Sequence, residues 1–305
     1  MKKDLLTLND LGEEDYKSLF DRAIELKARH KRGIFDKPLA GKSVGLIFDK
    51  PSTRTRISFE AATIQLGGTP IFMSAAHTQI SRNEPVKDTA RVLSRYIDCL
   101  VVRTFSQELI EEYARECSIP VINALSDLYH PCQILSDLLT VVEVKGGFKD
   151  LTVAWIGDGN NVAHSWINAA ATLGFTLVLA CPDGYTPDQA VLDNALQKNK
   201  GVIRVTKDPV DAVKGADIVY TDVWASMGQE SEADERLAPF RNYQVNAALL
   251  KHAKPDVSVM HCLPAHRGEE ITEEVLEGPH SIVWDQAENK LHMHKAILEA
   301  LIVKG

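Results

Sequence analysis

At 305 residues the chain is long enough for about two domains of ~150 residues each. Its make-up, 45% hydrophobic and 25% charged, is that of an ordinary globular protein. The formal net charge of -8 argues against a general nucleic-acid binder, and five cysteines with no C-x-x-C pair argue against a zinc ribbon or a thioredoxin-type site.

The N-terminal MKKDLLTLNDLGEEDYK meets acidic residues where a signal peptide needs an apolar stretch, and the longest apolar run, 169–181, is too short to span a membrane. A cytoplasmic, reduced protein with no membrane partner is expected. The charge is unevenly spread: residues 1–150 carry 21 basic and 21 acidic side chains, residues 151–305 carry 13 and 21. A neutral half and an acidic half suit an anionic ligand in the first and a cationic one in the second.

In chain order, a helix starts near Glu13, with Tyr16, Leu19, Phe20, Ala23 and Ile24 on one face. Strands are expected at 43–48, 70–73, 99–103 and 120–123, with helices at 53–66, 86–96, 107–115 and 134–144. Gly146-Gly147 stops the last of these and sets the boundary expected between a first domain, 1–146, and a second, 147–286. The second reads as strands at 151–156, 176–180, 202–205, 218–221, 257–260 and 282–284, with a helix at 162–173 and another capped by Thr186. The acidic stretch 229–236 reads as a loop. The final helix, 287–305, is expected to return to the first domain. Strands alternating with helices predict an α/β fold of two doubly wound parallel-sheet domains.

Five stretches carry chemistry. Phe48-Asp49-Lys50-Pro51-Ser52-Thr53-Arg54-Thr55-Arg56 joins a strand to a helix start crowded with hydroxyls and two arginines. Helix N-termini attract anions, and arginine there opposes the dipole unless an anion neutralises it, so an oxyanion or phosphate site is favoured over a plain N-cap. His130-Pro131-Cys132-Gln133 offers a histidine that could donate to a carbonyl oxygen gaining charge, although a lone His is more often structural. Gly157-Asp158-Gly159-Asn160-Asn161 invites a dinucleotide reading, but Val162 stands where the third glycine belongs. Its asparagines could instead bind a small polar ligand. Asp222 follows a strand and could hold an ammonium group, or simply cap a helix. His261-Cys262-Leu263-Pro264-Ala265-His266 places a cysteine in a polar loop, with no spacing that fits a zinc site.

Taken together, these stretches resemble the ornithine carbamoyltransferase family over essentially the whole chain. Ser52-Thr53-Arg54-Thr55-Arg56 is similar to the carbamoyl-phosphate signature shared by transcarbamoylases, while the Asp222…Ser226-Met227-Gly228 loop and His261-Cys262-Leu263-Pro264 are similar to the ornithine-type markers. The resemblance implies transfer of a carbamoyl group from carbamoyl phosphate to the δ-amine of L-ornithine, giving citrulline in arginine biosynthesis, with no metal or cofactor and a homotrimer as the usual assembly. It assigns carbamoyl phosphate to the first domain and ornithine to the second. Ser52, Thr53, Arg54, Thr55 and Gln79 would grip the phosphate. Arg103, His130 and Gln133 would hold the carbamoyl group, with Cys262, the Leu263 backbone and Lys290 touching it. Asn161 and Asp222 would bind the amino acid, and Ser226 and Met227 would close over it. Arg103, His130, Asp222 and Cys262 are the implied catalytic residues. Two positions depart from the family pattern: Cys132 stands where many members have Thr, and Lys290 where Arg is usual. Other acceptors (N-acetylornithine or putrescine), an NAD-dependent oxidoreductase and a non-catalytic binding protein are the alternatives.

Overall fold

The computed structural model describes residues 2–74, 84–198, 200–225 and 233–303. Gln79, Ser226 and Met227 lie outside the described residues. The chain forms two compact units, residues 1–139 with 288–305, and residues 140–287.

Unit 1 runs α1 (Glu13–Lys31), β1 (Ser43–Phe48), α2 (Arg54–Gln65), β2 (Thr69–Ser74), α3 (Val86–Leu93), β3 (Cys99–Arg103), α4 (Gln107–Glu116), β4 (Val121–Leu125) and the start of α5 (Pro131–Lys145). Its strands make one parallel sheet in the order β2-β1-β3-β4. β3 and β4, CLVVR and VINAL, are almost wholly buried, as strands covered on both faces must be.

Unit 2 holds β5 (Thr152–Ile156), α6 (Asn161–Leu173), β6 (Thr176–Ala180), α7 (Gln189–Lys198), β7 (Ile203–Thr206), α8 (Pro209–Val213), β8 (Ile218–Thr221), α9 (Ala233–Phe240), α10 (Ala247–Leu250), β9 (Ser258–His261) and α11 (Glu273–Leu276). Its sheet is also parallel, β7-β6-β5-β8-β9, over a core that includes Ile156, Val219, Trp224, Phe240 and Val259. The last helix, α12 (Val283–Ile302), begins here and is counted with unit 1 from Glu288 onward. In unit 1 it is tied to α1: Arg22 Nη2 meets Glu299 Oε2 at 2.9 Å, and Lys27 Nζ donates to Asn289 Oδ1 at 2.8 Å.

Several elements differ from their sequence reading. The strand expected at 282–284 is the entry to α12. Ile282 N–H does bond to Val259 O, in strand fashion, but its own carbonyl already accepts Gln286 N–H at 2.9 Å, the first turn of a helix. α7 is capped by Asp188, not Thr186, because Asp188 Oδ1 accepts the N–H groups of Ala190 and Val191. α5 starts three residues earlier than expected, with Pro131 in the first helical position, where its missing N–H costs nothing. Ile24 faces solvent, and Leu26 and Lys27 complete the buried face of α1. Residues 233–236, expected as loop, open α9. By packing, the division between the units falls inside α5, after Leu139, while the glycine pair 146–147 follows the end of that helix. The helix is continuous at Leu139, so composition gives no mark of the division.

Candidate active site

Sheet register positions the first group of residues. Phe48, last in β1, pairs with Arg103, last in β3, and the strand order reverses between these two strands. That is the position where open α/β sheets take ligands. Beyond β1 the chain passes Ser52 to Thr53, the N-cap of α2. Thr53 makes no side-chain capping bond, and the first turn of α2 has no acidic residue; the first turn of α1 has Glu13, Glu14 and Asp15. The unpaired N–H groups and positive dipole end of α2 are thus left for an external anion. The two arginines part company. Arg56 donates to Glu60 Oε1 at 2.9 Å and lies 3.5 Å over the Phe72 ring, so it is built into the surface. Arg54, half-buried, makes no ion pair or hydrogen bond among the described residues. One guanidinium, not two, is therefore left to meet an anion.

Arg103, His130, Gln133 and Lys290 are all buried in the same unit. Lys290 Nζ donates to Gln133 Oε1 at 2.8 Å and to Thr55 Oγ1 at 3.1 Å, tying α12 to α5 and α2. Burial, followed by the nearby charges of Lys290 and Arg103, holds the His130 imidazole well below its ordinary range. It is therefore neutral at neutral pH and can donate one N–H to a carbonyl oxygen.

In unit 2, Ile156, Thr221 and His261 stand in one register across β5, β8 and β9. The residues that follow each strand, Gly157–Asn161, Asp222 and Cys262, leave the sheet at the same end. The order reverses between β5 and β8, again the ligand-binding position. Asp222 Oδ1 accepts from Cys262 Sγ at 2.9 Å and from Val223 N–H at 2.8 Å, and Oδ2 accepts from Asn160 Nδ2 at 2.9 Å. Three donors hold this carboxylate in place. Asn160 also caps α6 through Oδ1, while Asn161, half-buried, opens the helix.

The Cys262-Leu263 turn has its own support. Leu263 N–H donates to His261 Nδ1 at 2.8 Å, so the ring proton sits on Nε2, which donates to the buried Glu270 Oε1 at 3.0 Å. Leu263 has φ +58°, a left-handed backbone that a non-glycine residue keeps only when its surroundings enforce it. Asp222, His261 and Cys262 bring possible metal-ligand atoms within 4.8 Å of one another. Both ring nitrogens of His261 are already engaged, however, so it has no lone pair for an ion.

The Gly-x-Gly turn also finds its reason. A Cβ on Gly159 would lie 2.2 Å from Pro187 N and 2.5 Å from Thr186 C. The glycine admits a neighbouring loop of the chain, and the space a dinucleotide would need beside it is filled. Sequence reasoning missed Asp137, the bond from Asn160 to Asp222 and the His261–Glu270 pair. The Gln133–Asp137 pairing could have been read from its i,i+4 helical spacing; the other two have no such regular spacing.

The family model for the aspartate/ornithine carbamoyltransferase carbamoyl-P binding domain matches residues 3–143, and the one for the Asp/Orn binding domain matches 149–301. The chain belongs to the aspartate/ornithine carbamoyltransferase family. Among curated relatives, the ornithine carbamoyltransferase of Desulfotalea psychrophila is 59% identical over 99% of this chain and 100% of its own. That of Bacillus subtilis is 53% identical over 99% and 95%. Among solved structures, the ornithine carbamoyltransferase from Pyrococcus furiosus superposes with a TM-score of 0.94 at 50% identity, covering 99% of this chain and 97% of that one. The carbamoyltransferase fold is thus this chain's fold.

Proposed function

We propose that this protein transfers the carbamoyl group of carbamoyl phosphate to the δ-amine of L-ornithine, releasing citrulline and phosphate. The observation that carries the reading is the separation of chemistries. Unit 1 offers an uncapped helix start, an arginine with no partner among the described residues, and buried donors; unit 2 offers a carboxylate locked beside a thiol. The first suits a phosphate and a carbonyl, the second an amino acid.

In this reading Ser52, Thr53, Arg54 and Thr55, with Gln79, hold the phosphate. Arg103 and neutral His130 donate to the carbamoyl oxygen as it becomes an oxyanion. Asp222 takes the α-ammonium of ornithine and Asn161 its carboxylate, with Ser226 and Met227 on the acceptor's side, while Cys262 and the Leu263 backbone lie against the reacting groups. The attacking amine must be neutral. Its pKa is near the ~10.4 of a lysine, so on the order of one molecule in a thousand is ready at pH 7.

The test is citrulline formation with ornithine, N-acetylornithine, putrescine and aspartate offered in turn. Ornithine is expected to be far the best acceptor, with kcat/KM rising about tenfold per pH unit between 7 and 9, since His130 has already lost its proton below that range. Turnover of aspartate alone, or a flat profile, would sink the assignment.

The same reading extends to assembly and setting. α2 and β2 turn Ile57, Ile64, Ile71 and Phe72 to solvent, and β2 is a sheet edge. Exposed apolar side chains beside an open edge suit contact with further copies, in keeping with a homotrimer. Sedimentation should return three times 33.7 kDa, and a monomer at micromolar concentration would refute it. All five cysteines are free thiols, as suits the cytoplasm, where the citrulline formed would feed arginine biosynthesis.

A further inference from the structure

Gln133 sits between two charged side chains. Its Nε2 donates to Asp137 Oδ1 at 2.8 Å, and its Oε1 accepts from Lys290 Nζ at 2.8 Å. All three side chains are buried: Asp137 is 0% exposed, Gln133 2% and Lys290 3%. An ammonium can only donate and a carboxylate accepts, so the amide has one stable orientation. Rotating it by half a turn would set its NH₂ against the ammonium and its oxygen against the carboxylate. Lys290 is itself fixed, by its second bond to Thr55 Oγ1 in the first turn of α2.

Resting on the function proposed above, we infer that Asp137 and Lys290 lock the Gln133 oxygen towards the donor's transferable group, so that the site selects a carbamoyl phosphate over an acyl phosphate of the same shape. A carbonyl oxygen has two lone pairs, and Lys290 takes one. The second accepts an N–H from the carbamoyl NH₂. Acetyl phosphate carries a methyl there instead, which matches the NH₂ in size and gives no proton. A buried acceptor left facing a methyl loses its partner outright, and sites built this way reject the analogue that lacks the donor. Asp137 is a positioning residue: it touches Gln133 and acts through it.

The experiment measures Kd values of the full-length protein for carbamoyl phosphate, acetyl phosphate and inorganic phosphate, the last reporting on the α2 clamp alone. The unaltered protein should bind acetyl phosphate at least about tenfold more weakly than carbamoyl phosphate. Asp137→Asn replaces a pure acceptor with a group that can present either face. The discrimination should then fall about fivefold or more, with phosphate affinity changed less than about twofold. In a Gln133→Met background the Asp137→Asn change should add nothing to the ratio. Where Asp137→Asn does not bind phosphate at all, Lys290→Met releases the other side of the same amide and must lower the ratio in its place. An undiminished ratio in a phosphate-binding variant, a further loss in the Gln133→Met background, or equal binding of the two acyl phosphates by the unaltered protein overturns the inference. Absence of citrulline formation by the unaltered protein would instead overturn the proposed function.

Discussion

Arg54→Ala is expected to lower kcat/KM for carbamoyl phosphate by roughly 10²–10³ while leaving the protein at least as stable as before. A hydrogen bond to a charged group contributes about 1.5–3 kcal/mol, and a donor aimed at charge on the leaving phosphate adds to this in the transition state. Stability should move the other way. Arg54 sits at the positive end of the α2 dipole, with no acidic residue in that turn and no partner among the described residues. In the ligand-free protein such a charge is unfavourable by about 0.3–1 kcal/mol, so its removal should hold or slightly raise Tm. A solvated surface arginine would give the same Tm and no loss of rate. The measurement is therefore steady-state kinetics beside a thermal melt, and near-normal turnover in a folded Arg54→Ala protein would remove it from the phosphate clamp. Arg56→Ala is the internal contrast: it breaks the Glu60 pair and the Phe72 contact and should change kcat/KM for carbamoyl phosphate several-fold at most.

That contrast also marks how far residue order can be read. The strands β1, β3, β6 and β8 were legible to the residue because short apolar runs ended by turns have few other ways to fold. The uncapped, basic start of α2 was legible because basic residues at a helix start run against the dipole. The sequence had no means of showing that Arg56 would be spent on Glu60 and Phe72, since Phe72 belongs to another strand. Lys290 and Gln133 are 157 positions apart, and nothing local links them. His261 ends β9 and Glu270 lies in the loop that follows, nine positions on, with no periodic spacing to pair them. Residues 282–284 misled in the other direction: Ile-Val-Trp has strand composition, but a single ladder bond to Val259 is outweighed by the helix that follows. Apolar character decided burial there, and hydrogen bonding decided form.

Asp222→Asn is expected to have the most selective effect, a loss of roughly 10³ in kcat/KM for ornithine with the KM for carbamoyl phosphate changed less than about twofold. The substitution keeps the shape and removes the charge. In the native protein both carboxylate oxygens accept, from Cys262 Sγ and Val223 N–H on one side and Asn160 Nδ2 on the other. Whichever way an amide is turned, its NH₂ faces one of these donors, so either Asn160 or the Cys262 thiol must move. Loss of the charge-assisted bond to the α-ammonium contributes about 1.5–3 kcal/mol, and a misplaced Cys262 supplies the remainder of the ~4 kcal/mol that 10³ represents. These two parts can be separated. An acceptor with the same δ-amine and carboxylate but no α-amino group, 5-aminopentanoate, cannot use the Asp222 charge and should lose only the part owed to Cys262. Ornithine's advantage over 5-aminopentanoate should therefore shrink at least about tenfold in Asp222→Asn. If both acceptors lose rate equally, Asp222 orients the thiol and does not bind the amino group. If neither loses more than about threefold, Asp222 lies outside the acceptor site and its three hydrogen bonds only hold the loop.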